Sequence, residues 1–288
     1  MDLRKRHSEE SEIPAKSARK RSFAVEPILA VNVTSELLPL VEFNVYAIVN
    51  KRNISKILKV LPALDDAFSH LKRIQGDRIL VGPNSSTMED DKEAEILKKI
   101  REVDAEEGAI ERRCVPRLKP LTKRQFEWAK QKWPTSFHAD KRLESILEGT
   151  FFEKDELDRI QRLIMRVEGS EGGLVVDPSV REGDGVVAEG ICDPSNPLGH
   201  PVMEAVKKLA EKHRNSEDGE QYLATGFDVF LFREPCAMCA MALVHCRASR
   251  VFFSELTPKG GAFISSWNLH HEPQINHHYE VYRLRETL

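Results

Sequence analysis

At 288 residues the chain has room for two domains, and 41% hydrophobic with 31% charged residues is the make-up of an ordinary globular protein. No window approaches the roughly 20 apolar residues of a bilayer span, and residues 1–22 carry no apolar segment, so neither a membrane role nor a secretory leader is expected. A net charge of −3 excludes a histone-like polycation, and five cysteines, two of them in a C-x-x-C, fit a reducing compartment and a metal site better than a disulfide framework.

Residues 1–22 read as a disordered basic tail, with clusters at Arg4-Lys5-Arg6 and from Lys16 to Arg21. Such clusters are either a solvated tail, a nuclear localisation patch or a loose RNA contact. Residues 23–118 read as a small α+β domain. Phe43 to Val49 is a strand, and Asn53 can cap a helix through Ile57, Leu58 and Leu61. Two short strands follow, Phe68 to Ile74 and Arg78 to Val81, around the turn Gln75-Gly76-Asp77, although the first of them also reads as part of a helix from Leu64. Met88 to Val103 has helical spacing at Ile96, Leu97 and Ile100, and Ile110 to Leu118 closes the set as a strand. This β-α-β-β-α-β order predicts a ferredoxin-like domain. It lacks the aromatic signature of an RNA-recognition sheet, so it is either an RNA-docking or a protein-interaction module.

A basic run, Arg112, Arg113, Arg117, Lys119, Lys123 and Arg124, leads out of that domain. It is a candidate track for a phosphate backbone, or simply a solvated face. Residues 119–288 then read as a second, α/β domain. Phe126 to Trp133 and Phe152 to Met165 are helices, the second with a stripe of Phe152, Leu157, Ile160, Leu163 and Ile164. Strands follow at Leu174 to Asp177 and Val186 to Ile191, then a helix from His200, a strand Asp228 to Arg233 and a helix Cys236 to His245. Arg250 to Phe253 and Tyr279 to Leu284 complete a mixed sheet flanked by helices.

His200-Pro201-Val202 and Pro235-Cys236-Ala237-Met238-Cys239 together follow the nucleobase deaminase pattern H-x-E then P-C-x-x-C, in which His and two Cys hold zinc and the Glu moves protons. His200, Cys236 and Cys239 are therefore the candidate zinc ligands, and both cysteines sit where a helix N-terminus favours thiolates. Three protein ligands and one open position make a catalytic-type site. Yet the Glu position is Val202, which can neither take nor give a proton. Loss of such a group typically costs 10²–10⁴-fold, so the chain alone is expected to be inactive and to need a partner that carries the chemistry. Glu204 is the nearest substitute, but two residues along a helix rotate it about 200° away from position 202. The fourth zinc position is expected to hold water or, alternatively, the carboxylate of Leu288 folded back onto the metal. Cys246 is expected to be an inert core thiol, and Cys114 and Cys192 carry no pattern.

Pro197-Leu198-Gly199-His200-Pro201-Val202-Met203-Glu204-Ala205-Val206 and the run from Glu234 to His245 resemble the non-catalytic subunit of the eukaryotic heterodimeric tRNA adenosine deaminase, with Val202 as that family's Val-for-Glu exchange. Gly260-Gly261-Ala262 and Ile275-Asn276-His277-His278 resemble the loop and terminal strand of tRNA-editing deaminases. The resemblance implies a cytidine deaminase-like fold, a structural zinc ion, and a heterodimer with a catalytic deaminase subunit. It further implies conversion of adenosine to inosine at the tRNA wobble position, with tRNA held through the N-terminal domain, in the nucleus and cytoplasm. Two other readings stay open: an active nucleotide or RNA deaminase with a substitute proton shuttle, and a zinc-stabilised scaffold without an RNA role.

Overall fold

The computed structural model describes residues 22–84, 90–104, 108–180, 183–215 and 223–287. The basic clusters of the first 21 residues, and Leu288, lie outside them. In chain order the elements are β1 (Ser22–Pro27), α1 (Val31–Thr34), β2 (Leu40–Ala47), α2 (Ile54–Val60), β3 (Ile74–Gln75) and β4 (Arg78–Pro83). Then come α3 (Asp90–Val103), β5 (Ala109–Pro116), α4 (Lys123–Lys132), α5 (Lys141–Leu147) and α6 (Lys154–Ser170). The remainder is β6 (Gly173–Val176), β7 (Val186–Gly190), α7 (Pro201–Asn215), β8 (Asp228–Arg233), α8 (Ala237–His245), β9 (Arg250–Glu255) and β10 (Glu280–Thr287). Among the described residues no helix is long and apolar enough to cross a membrane.

The chain divides into two compact units. One is 27–159 with 267–281; the other is 160–266 with the described flanks 22–26 and 282–287. Residues 119–159, grouped by the sequence with the metal-binding part, thus lie in the first unit, and 23–26 lie in the second. Two side-chain and strand placements account for this. Trp133 is fully buried among Phe43, Val45, Leu71, Leu80 and Val115 of the first unit, and β1 is hydrogen-bonded beside β10 in the second unit's sheet.

The first unit holds a four-stranded sheet in the order β3-β4-β2-β5, with every pairing antiparallel. β2 and β3 are joined through α2 but are separated by β4, which is the split βαβ arrangement expected from the element order. Alternation sends Tyr46, Ile79 and Val81 to one face, against Ile57 of α2 and Ile100 of α3. Phe43, Val45 and Leu80 face the other way, under Leu71 and Trp133. That second face is the one an RNA-recognition domain leaves open for stacking bases; here the chain's own tryptophan covers it.

Two local expectations change. The segment Phe68 to Ile74 is neither a full strand nor a long helix. It is a 3-10 turn at Asp66–Phe68 followed by the two-residue β3, because Leu71 bridges instead to Thr135. Asn53 does not cap α2; its amide donates to Asp104, 3.1 Å away, whose other oxygen accepts from the Tyr46 hydroxyl at 2.7 Å. Asp104 is fully buried, and two donors satisfy it better than one would.

The second unit's six-stranded sheet runs β1-β10-β9-β8-β6-β7. β8 pairs parallel with β9, and β6 pairs antiparallel with both β7 and β8, so the sheet is mixed as expected. All four residues of β6 and the first four of β8 are buried, which requires cover on both faces. Phe230, Phe252 and Tyr282 stack across neighbouring strands with ring centroids 4.8 and 5.1 Å apart. α6 buries Ile160, Leu163, Ile164 and Val167, and α7 buries Val202, Ala205 and Leu209, both at helical spacing. A β-carbon at Gly190 would overlap the Pro201 carbonyl. Glycine there lets the first turn of α7 lie directly on β7, and this sets where His200 points.

Candidate metal centre

His200 and Cys236 each stand at the start of a helix. The His200 carbonyl accepts from the Glu204 amide at 3.0 Å, opening α7, and the Cys236 carbonyl accepts from the Ala240 amide at 2.9 Å, opening α8. The loop ahead of His200 is tied by Asp193 N–H to Gly199 C=O and Gly199 N–H to Asn196 C=O, both 2.8 Å. Asp193 also accepts from the Ser195 hydroxyl and amide, which hold its carboxyl below the usual range. A fixed loop delivers a fixed imidazole.

The three predicted ligands converge. His200 Nδ1 is 3.5 Å from the sulfurs of both Cys236 and Cys239, and all three ligand atoms lie within 4.8 Å of one another. Tetrahedral zinc with bonds of about 2.0 Å to nitrogen and 2.3 Å to sulfur would separate N and S by about 3.5 Å. One ring nitrogen carries at most one proton and cannot donate fully to two sulfurs, whereas one cation can be shared by all three atoms. The donor set and its spacing therefore fit zinc. Burial, with the Cys236 thiol beside it, pushes the Cys239 thiol well up; a cation is the partner that lets such a thiol ionise. Cys246 behaves as the inert core thiol expected: it is 3% exposed, and burial pushes it up to about 11.

A cavity of about 280 Å³ opens over the cluster. Val202 lines it and is 3% exposed, in the first turn of α7. Glu204 is not among the lining residues, as its rotation along the helix predicts. Two acids do line the cavity, Glu171 and Glu234. Glu171 pairs with Arg233 at 3.4 Å. Glu234, which sequence reasoning missed, is 2% exposed and accepts five hydrogen bonds. Burial acts to raise its carboxyl, but the bonds from Ile264, Ser265 and Thr257 outweigh that and leave it below the usual value. A carboxylate so fully engaged is no replacement for a proton shuttle. The fourth ligand suggested at Leu288 lies outside the described residues.

The basic run splits into two groups. Arg113 pairs with Glu111 at 2.7 Å, Lys123 with Glu148 at 3.6 Å and Arg124 with Glu36 at 3.3 Å. Arg112, Arg117 and Lys119 are exposed and make no ion pair among the described residues. Leaving one sequence run on β5 and the segment after it, these three remain available to an anion.

No protein-family model matches the chain. It is 34% identical over 295 residues to the human "Probable inactive tRNA-specific adenosine deaminase-like protein 3", covering 82% of each chain. It is 27% identical over 240 residues to "tRNA-specific adenosine deaminase subunit tad3" of Schizosaccharomyces pombe, covering 74% of this chain and 72% of that one. Among solved structures, one from a study of A-to-I editing by tRNA:A34 deaminases aligns with 44% of this chain and 95% of its own, at 21% identity and a TM-score of 0.34. With His200, Cys236 and Cys239 drawn together, Val202 buried and most of its length matched, the chain belongs to the family of the "Probable inactive tRNA-specific adenosine deaminase-like protein 3".

Proposed function

We propose that this chain is the non-catalytic, zinc-holding subunit of a heterodimeric tRNA adenosine deaminase that forms inosine at the anticodon wobble position. The observation that carries the reading is Val202, buried beside a complete His200, Cys236 and Cys239 set. Zinc bound there would supply Lewis acidity and a cross-link between the starts of α7 and α8. Among the described residues the two acids lining that cavity are already engaged, Glu171 with Arg233 and Glu234 with five donors, so the partner supplies the shuttle and the adenine pocket. α8 (AMCAMALVH) is apolar nearly all round, and Ala237, Met238, Met241 and Ala242 are only partly covered. A helix of that kind is expected to be buried in a larger assembly, which supports docking of a second deaminase subunit. Residence in both nucleus and cytoplasm is part of the proposal and rests on the basic clusters of the first 21 residues.

The test is inosine formation in a tRNA transcript by this chain alone, by a catalytic deaminase subunit alone, and by the co-purified pair. Activity only in the pair is expected, at least about 10³-fold above either chain. Turnover by this chain alone would overturn the reading.

The first unit is proposed to hold the tRNA through Arg112, Arg117 and Lys119. Reversing all three charges in the heterodimer is expected to weaken tRNA binding and to reduce the slope of log K against log salt by about 2–3. An unchanged slope would dismiss the patch.

A further inference from the structure

The carboxylate of Glu234 gathers two stretches of chain that the fold does not otherwise need to join. One oxygen accepts from the amides of Phe263, Ile264 and Ser265 at 2.9, 2.6 and 2.9 Å. The other accepts from the Thr257 amide at 3.2 Å and from the Ser265 hydroxyl. Three successive amides turned on one oxygen form an anion-binding nest, and here the anion is internal. The main chain on either side is tied as well. The Glu234 carbonyl accepts from the Thr257 hydroxyl at 2.8 Å, the Pro235 carbonyl accepts from the Ala262 amide at 2.8 Å, and Cys236 bridges to Gly261. A β-carbon at Gly261 would overlap the Glu234 carboxylate, so the loop can close this tightly only with glycine there.

Cys236, a ligand of the candidate centre, is two residues from this carboxylate. We propose that Glu234 is the positioning residue of the metal site: it locks the turn carrying Cys236 onto the loop Thr257–Ser265, so that metal retention and the order of that loop depend on each other. The inference rests on the zinc reading of His200, Cys236 and Cys239. Outer groups that orient metal ligands typically contribute 10–100-fold to metal affinity. A neutral amide at this position would turn an N–H₂ group toward the two or three donors that now share one oxygen, and the nest would lose the charge it surrounds.

The experiment uses the zinc-loaded full chain and reads three things: metal content, the rate at which a chelator strips zinc, and hydrogen exchange at 257–265. In Glu234→Gln, zinc release is expected to be 10–100-fold faster, with fast exchange at the amides of Phe263, Ile264 and Ser265. In the unaltered chain, chelation is expected to raise exchange at those same amides. Ser265→Ala, which removes only one of the five donors, gives a smaller change in the same direction and serves if the glutamine variant does not fold. Phe252→Leu, which loosens the stack on Phe230 and Tyr282 and leaves the five bonds to Glu234 in place, is expected to lower stability without altering the zinc release rate. Zinc release at the unaltered rate in Glu234→Gln, or loop amides that stay protected after chelation, overturns the proposal. A chain that carries no zinc when purified fails the zinc reading itself, a different outcome seen directly in the metal content.

Discussion

Cys239→Ser is expected to yield a chain that holds no zinc, melts at markedly lower temperature and pairs poorly with its catalytic partner. Cys239 is 3% exposed, so its sulfur cannot be replaced as a ligand by solvent without opening the starts of both α7 and α8. A ligand present at a thousandfold excess over its Kd stabilises the folded state by about 4 kcal/mol, and that whole contribution vanishes with the site. The serine hydroxyl, a poor zinc ligand, also stays buried among apolar neighbours. Removing zinc from the unaltered chain with a chelator should reproduce most of the loss, and restoring zinc should reverse it only there. Thermal unfolding with and without chelator, on both chains, checks this. A variant that melts like the unaltered chain and pairs normally would show that the metal has no structural role.

Trp133→Ala is expected to destabilise the first unit by about 3–5 kcal/mol, the usual cost of deleting a buried large aromatic. Trp133 is fully buried, fills the space beneath Phe43, Val45, Leu80 and Val115, and donates its indole N–H to the Lys72 carbonyl at 2.7 Å. Truncation leaves both a cavity and an unpaired carbonyl. Denaturant unfolding followed on the first unit's amides should show the loss there. A separate tRNA-binding measurement should show no gain in affinity from the uncovered sheet face, because the basic residues proposed to bind RNA do so from β5 and the segment after it. Loss of less than about 1 kcal/mol would mean that Trp133 does not close the face.

The convergence of the candidate ligands was legible because the signals for it are local. His200 and the Cys236–Cys239 pair are each marked by a Pro, a helix start and a fixed short spacing, and only their meeting point needed the fold. Glu234 was not legible for the opposite reason. It stands in the run that carries the family resemblance, but nothing in that run gives it a role, and its five donors come from residues 23 to 31 positions later, in a loop whose Gly260-Gly261-Ala262 does not say what it closes on. The β-α-β-β-α-β order was readable from alternating and helical spacing, but the weight of its second strand was not. Leu71 alternates as a strand residue would, and only the competing bridge to Thr135 shortens the strand to β3. Trp133 could be read as the end of a helix but not as the lid of a sheet, since burial of that kind depends on a partner surface far away in sequence. β1 escaped entirely: SFAVEP is short, follows a polar tail, and becomes a strand only because β10 offers it an edge.

That edge pairing bears on how the protein is made. On the ribosome β10 follows β1 by ~250 residues, roughly 12–50 s at usual elongation rates. Throughout that interval the first strand lacks the β10 edge, although the four-stranded sheet of β2 to β5 can already close on local contacts. The β1–β10 edge of the second sheet is therefore a late, long-range pairing. A fragment that begins after Pro27 would leave β10 as a bare edge open to strands from other molecules.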